Sequence, residues 1–357
     1  MALLNLSSLT FTAEQVRALN ELLFEKVIDV DKSMLQKMHT FYTGIEYKRK
    51  IGKIAGTFGL VGKAGQDCTI TDDTKSLTTS QKEWDPARWG IYLSECFANL
   101  NDTAAVYARK NGNDIADLTG TDYMNIVEDV LGKDLMKFYI RTLWFGDIAA
   151  ANYNDSPPGV FTNTVDVDYF NIITGFFKQL DVIVAATPAR KTTIAANAQA
   201  TTATQWSALT PQLAFEAYQA VFDGALPELI SQPDGIVLST RSIADKARRY
   251  LQSLGIESTY TNLINGIDTL KIDGRVVYVI PYWDEVLLNY QNNATKINNP
   301  HRIVFTTLSN LGVGTPSALN FGTFNIFYDQ VGRTNKIRIE DAVDAKILYD
   351  NLVQYGV

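Results

Sequence analysis

The sequence predicts an α+β protein in which helices and strands are partly segregated. Three observations carry this expectation. Apolar residues three and four apart mark helices near 12–30, 122–145 and 240–254. Short β-branched and aromatic runs gather in the last third of the chain, around a two-residue Asp-Gly turn. Residues 51–83 follow neither pattern: they are rich in Gly and polar residues and show little apolar periodicity. The 357 residues allow about two domains, and a hydrophobic content of 46% supports a sizeable core.

The first helix opens at Thr12, the N-cap, with Gln15 as its capping-box partner and Phe11 and Val16 at the staple positions. Val16, Leu19, Leu23 and Val27 then form one face, and a polar stretch follows through Lys48-Arg49-Lys50. Beyond it Gly56, Gly59, Gly62 and Gly65 recur at every third position, and polar runs follow at Thr69–Thr74 and Thr78–Ser80. Such a stretch cannot pack a core of its own. We expect a long extended two-stranded arm with a glycine-rich tip, an excursion that makes sense when it lies on a neighbouring molecule. Trp84-Asp85-Pro86-Ala87-Arg88-Trp89 closes the arm, and Ile91-Tyr92-Leu93 resumes strand alternation. Gly56, Gly59, Gly62, Lys63, Gly65, Trp84 and Trp89 are the candidates for intersubunit contact.

A long helix is expected from Asp122, with Met124, Val127, Leu131, Leu135 and Phe138 on its apolar face, ending near Trp144-Phe145-Gly146-Asp147. Asn154-Asp155-Ser156-Pro157-Pro158-Gly159 is a loop. A helix is expected over 168–184. The stretch 192–215 contains no charged residue and reads as an Ala/Thr-rich loop around Trp206. Thr210-Pro211 starts a helix, Thr at the N-cap and Pro in the first turn, that runs to Asp223-Gly224. Gly235–Ser239 is a buried strand, and Thr240 caps a helix with Gly255 as its C′ residue. Leu270-Lys271-Ile272 and Arg275–Ile280 form a hairpin on the turn Asp273-Gly274, which supplies the positive φ that a type I′ turn requires; Pro281 stops it. The last strands are expected at Ile303-Val304-Phe305, 324–328 and 336–339.

Composition narrows the chemistry. A net charge of −7 argues against a large basic face for nucleic-acid phosphates. Two cysteines, Cys68 and Cys96, build neither a disulfide framework nor an all-cysteine zinc site, and His39 and His301 alone make no multi-histidine metal centre. No basic-then-apolar leader opens the chain and no apolar run reaches the ~18 residues of a membrane span, which fits a reducing compartment. Gly56 to Ala64 invites a phosphate-loop reading and fails it. The first Gly of that pattern is replaced by Thr57, and the residue after Lys63 is Ala64 where Ser or Thr should hold magnesium. Trp84-Asp85 and Trp283-Asp284-Glu285 set carboxylates beside aromatics, the weak basis of a carbohydrate-hydrolase alternative. No Gly-x-Ser-x-Gly turn accompanies the histidines, which are expected at the surface or a strand edge. Cys96 reads as a small buried hydrophobe. The short clusters Lys48-Arg49-Lys50-Lys53 and Arg248-Arg249 read as solvated faces or subunit contacts. We expect no catalytic residue, cofactor or metal.

The order of elements resembles that of the major capsid proteins of tailed bacteriophages, the Hong Kong 97-type fold. An N-terminal arm (1–45) precedes an extended loop (46–90). A first peripheral part with the long spine helix (91–165) reaches the Gly146-Asp147 turn and the Pro158-Gly159 loop. An axial domain (166–300) holds the strand and helix from Gly235 to Gly255 and the Asp273-Gly274 hairpin. The chain then returns to the peripheral domain in strands (301–357), where Asn310-Leu311-Gly312-Val313-Gly314 is similar to the return segment. The resemblance implies a structural protein that assembles with itself, as hexamers and pentamers, into an icosahedral virion shell enclosing double-stranded DNA without sequence-specific binding. It implies assembly in the bacterial host cytoplasm, with portal, separate scaffolding and decoration proteins as partners and no membrane. Some family members form Lys–Asn links between subunits. Lys63 is the one position to consider, and no partner Asn is assigned. An encapsulin-like shell holding an enzyme is the alternative within the same fold. A charged fraction of 20%, below the ~25% of average proteins, suits a subunit whose faces are covered.

Overall fold

The longest apolar-periodic stretch organises the chain. In the computed structural model, which describes residues 32–55, 78–96, 98, 116–256, 261, 262, 268–317 and 325–357, helix Asp122–Phe145 runs for 24 residues as one rod. Thr121 is its N-cap: the hydroxyl accepts from Met124 N at 3.4 Å. At the other end Gly146 leaves the helix because two backbones meet there. Gly175 N donates to Gly146 O at 2.8 Å, and a Cβ on Gly146 would stand 2.5 Å from Thr142 O and 2.6 Å from Ile173 O. The helix expected over 12–30 and the arm-tip residues Gly56, Gly59, Gly62, Lys63 and Gly65, with Cys68, lie outside the described residues.

In chain order the described elements begin with α1 (Lys32–Met38), β1 (Thr40–Tyr42), β2 (Arg49–Ala55), β3 (Thr78–Trp84), β4 (Ala87–Glu95) and the spine helix α2 (Asp122–Phe145). They continue with α3 (Phe176–Ala186), β5 (Lys191–Thr192), α4 (Thr202–Ala208), α5 (Pro211–Asp223), α6 (Pro227–Ile230), β6 (Gly235–Ser239) and α7 (Arg241–Ser253). The remainder are β7 (Thr261–Asn262), β8 (Asp268–Ile272), β9 (Arg275–Val279), α8 (Pro281–Tyr290), β10 (Ile303–Thr307), β11 (Leu311–Gly314), β12 (Asn325–Asp329), β13 (Thr334–Ile347) and β14 (Val353–Gly356).

Among the described residues three sheets form. A five-stranded sheet runs β1-β11-β13-β12 with β4 also on β13, a seven-stranded sheet runs β5-β14-β10-β6-β9-β8-β7, and β2-β3 stand apart as a pair. The largest apolar cluster lies where α2, α3 and α8 meet the five-stranded sheet. Trp144 is fully buried there, with ring centroids of Phe176, Phe177 and Trp283 4.4–5.1 Å away. A second cluster joins α5 and α7 to one face of the seven-stranded sheet through Tyr218, Val221, Ile243 and Ala247.

Several expectations meet the structure closely: the spine helix, the helix starting at Pro211, strand β6 and the Asp273-Gly274 turn, whose φ values are 47° and 76°. Helix α7 ends in a Schellman motif, with Gly255 N on Gln252 O and Ile256 N on Leu251 O. Others are corrected. The helix expected over 168–184 starts at Phe176, after a single 3₁₀ turn Val167–Tyr169, because Gly175 must pass the end of α2 in extended conformation. The uncharged stretch 192–215 is not a loop. It folds into the 3₁₀ turn Ala195–Ala198 and α4, which has a reciprocal Thr201/Thr204 capping box. Pro281 ends β9 but also occupies the first turn of α8, a helix that the hairpin reading passed over. Strands β10 and β14, placed within the return segment 301–357, pair in the seven-stranded sheet. There β10 lies between β6 and β14, since its five residues are buried on both faces and need a layer on each.

Candidate functional site

The arm is built from residues that cannot bury themselves. Strands β2 and β3 pair antiparallel from Arg49↔Trp84 to Ala55↔Thr78, and neither joins another strand among the described residues. Arg49, Lys50, Gly52, Ser80 and Gln81 are exposed. The root of the arm is fixed to the rest of the chain. Trp84, 3% exposed, lies across β11 on Gly312 and Gly314, with the Tyr42 ring 5.7 Å away. Lys82 donates to Ile347 O and pairs with Asp350 at 2.6 Å. Asp85 N donates to Asp344 Oδ2 at 2.8 Å, and Lys48 pairs with Asp85 at 2.8 Å in solvent. Burial raises the Asp344 carboxyl above its ordinary range, opposed by Lys346 and the Asp85 and Ala345 amides. The described part of the arm is thus clamped at its root.

Beside the root, β4, the spine helix and α8 enclose an open groove of about 740 Å³. Trp89 forms part of its floor, 8% exposed, against Phe138 at 4.9 Å and Tyr139 at 5.5 Å. The Arg141 guanidinium sits among the rings of Tyr169, Phe170, Tyr290 and Phe138 at 5.3–6.0 Å. Both signs of charge line this groove, through Arg88, Lys137, Asp134, Asp168 and Glu285, so it does not select a strongly charged ligand.

Among the candidates for intersubunit contact, Trp84 and Trp89 are therefore buried inside this chain, and anything they give to an interface passes through the strands they hold. Five others lie outside the described residues. The anchors Lys82, Asp344 and Asp350 were not singled out from sequence. The pair Gly312-x-Gly314 is the signal that could have found the Trp84 seat, because glycine inside a strand marks close approach of another group.

The residues that suggested chemistry are engaged in structure. Both histidines are buried, not at the surface or an exposed strand edge as expected. His39 is 2% exposed, its Nδ1 donates to Leu35 O and its Nε2 accepts from Trp144 Nε1, each at 2.9 Å. His301 is fully buried between Gln205 O at 3.3 Å and Ser242 Oγ at 2.9 Å. Burial lowers both imidazoles to about 4. Asp284, one of the carboxylates beside an aromatic, caps α7 from outside: its oxygens accept from Arg241 N at 2.7 Å and Ser242 N at 3.0 Å. Burial raises it to about 6 despite those bonds. Cys96 is half-buried rather than buried. Among the described residues no three His, Cys, Asp or Glu side chains gather as a metal site, and no helix is long and apolar enough to cross a membrane.

No family model matches the chain, and no curated protein sequence matches it. Solved structures do. A structure from Microbacterium phage Oxtober96 is 11% identical with a TM-score of 0.52, over 94% of this chain and 93% of that one. One from Mycobacterium phage Ogopogo is 11% identical with a TM-score of 0.50, over 98% and 99%. The capsid of an empty GTA particle is 8% identical with a TM-score of 0.50, over 94% and 98%. At these identities the likeness is one of fold, and it spans nearly the whole of each chain. The arm, spine helix and two sheets described above are arranged as the Hong Kong 97-type fold.

Proposed function

We propose that the chain is the major capsid protein of a tailed bacteriophage, a structural subunit that self-assembles into an icosahedral head shell around double-stranded DNA. The clamped arm on a chain of this fold carries the reading. A two-stranded ribbon alone is marginal in water, and among the described residues no further strand pairs with its outer edges. A neighbouring subunit supplies the surface that the ribbon lacks. Gly56, Gly59, Gly62, Lys63 and Gly65 at the tip would make that contact, and Trp84 and Trp89 would hold the arm and its neighbouring strand at the right angle.

Hexamers and pentamers of the chain would tile the shell, with portal, separate scaffolding and decoration proteins as further partners. The axial domain would be 166–300 together with β10 and β14, and the peripheral domain the five-stranded sheet with α2. The product is a virion component assembled in the host cytoplasm, and it needs no catalytic residue or cofactor. An acidic chain with a net charge of −7 would confine DNA without gripping it. The test is expression of the full chain, followed by sedimentation velocity and negative-stain microscopy. Closed shells are expected. A persistent compact monomer whose arm resists protease would overturn the reading.

A further inference from the structure

A cation in the groove beside the arm root lacks an acceptor. Arg141 lies one turn before the end of the spine helix α2 and is half-buried. Its guanidinium is cradled by Tyr169, Phe170, Tyr290 and Phe138, with ring centroids 5.3–6.0 Å away. A guanidinium is an all-donor group, yet Arg141 donates to no oxygen and pairs with no carboxylate among the described residues. Its Nε is buried without a partner, and the side chain lines the groove. A buried donor left unmatched needs a cause. The imbalance extends to its neighbours. Lys137, one turn earlier on α2, and Arg88 on β4 line the same groove, and neither pairs with a carboxylate among the described residues. Like charges one turn apart on a helix oppose each other.

The surroundings select the ligand. Asp134, Asp168 and Glu285 also line the groove, and Asp168 is engaged by Asn171 Nδ2 at 2.8 Å. Their charges repel a polyanion, so a run of nucleic-acid phosphates does not fit. A single carboxylate does: it matches the planar fork of one guanidinium with parallel N–H···O bonds, and the rings behind Arg141 hold that fork in place. The groove, about 740 Å³, is far larger than one carboxylate fills, and Trp89, Leu131 and Phe138 give it an apolar floor. The acid therefore arrives on a protein segment whose apolar neighbours cover that floor. A second copy can supply it, because the chain has 39 Asp and Glu against 32 Lys and Arg, an excess of carboxylates in every copy.

We propose that Arg141, in its aromatic cradle, receives an acidic side chain of a second copy, an ion pair completed only on assembly. The inference rests on the shell reading and names a residue that joins the copies. It is tested on the full chain, assembled without DNA, by counting the fraction of chains in sedimenting particles. Arg141→Gln should lower that fraction by about tenfold or more. The free variant should still melt cooperatively, since Arg141 donates to nothing within its own chain. Added salt should reduce assembly of the parent more than that of the variant. Arg141→Lys gives a second readout, independent of yield and usable if Arg141→Gln folds poorly. In particles that mix isotope-labelled and unlabelled chains, a carbodiimide joins the introduced amine to a carboxylate touching it, and mass spectrometry shows which copy owns the acid. Links between copies are expected. Particles with no such link, or with links only to Asp134, Asp168 or Glu285 of the same chain, overturn the inference and leave the shell reading standing. A folded Arg141→Gln chain that assembles like the parent does the same. A defect confined to DNA-filled particles assigns the site to a phosphate and also overturns it. A parent chain that never assembles overturns the shell reading and this contact together.

Discussion

Replacing Gly314 by Ala tests how the arm is held. A Cβ there would stand 2.7 Å from Trp84 Cε3 and 3.1 Å from Cζ3, where carbon atoms prefer about 3.5–4.0 Å. The indole, 3% exposed and flanked by Tyr42, would have to retreat by about 1 Å, which forfeits about a quarter to a half of its contact energy with β11. Full truncation of a buried Trp costs about 3–5 kcal/mol, so the expected loss is about 1–2 kcal/mol. The assay is urea unfolding of the unassembled chain, with limited proteolysis at the arm root read in parallel. A double-mutant cycle isolates the contact: in a Trp84→Leu background Gly314→Ala should cost little, leaving a coupling of about 1 kcal/mol or more. Gly52→Ala in β2, where a Cβ meets nothing within 4 Å, is the control and should be near neutral. Equal costs for Gly314→Ala in both backgrounds would refute the claim that Trp84 seated on β11 anchors the arm.

Four further outcomes are expected. Stability should fall as pH drops from about 6.5 towards 4, because His39 and His301 bind protons in the unfolded chain at pH values where their folded forms, at about 4, do not; each contributes up to about 3 kcal/mol. Asp284, raised to about 6, acts in the opposite sense between 6 and 3.8, so His301→Asn should flatten the fall of the urea midpoint with acid and Asp284→Asn should steepen it. Asp284→Ala should cost about 1–2 kcal/mol at pH 7 by uncapping α7, measured by chemical denaturation. Gly159→Ala should abolish soluble folded protein or cost more than about 3 kcal/mol, since its Cβ would lie 1.8 Å from Ala151 O; a normal melting temperature would contradict the loop's packing. Gly62→Trp should leave a folded chain that fails to form shells by microscopy, and normal assembly would remove the tip from the interface.

What could be read from sequence follows the range of the forces involved. The spine helix was legible because the three-and-four spacing of its apolar face acts within one or two turns. The Asp273-Gly274 hairpin was legible because positive φ is a property of the turn residues themselves. The arm could be seen by exclusion, as a stretch with too little apolar surface to fold on itself. Where a neighbour distant in sequence sets the outcome, the same reading missed. The start of α3 is decided by the passage of Gly175 against Gly146. The burial of His39 and His301 is decided by partners such as Trp144 and Gln205, and the role of Asp284 by α7. The glycines of β11 wait on Trp84, more than two hundred residues earlier. By itself, then, the sequence determined the local elements, the exposed arm and the absence of charge over 192–215. The tertiary structure alone decided which strands share a sheet, that the stretch 192–215 lines a groove with α5 beside β5, and that the root of the arm is gripped by β11 and β13. Sheet pairing and side-chain burial depend on long-range contacts whose partners no local pattern specifies.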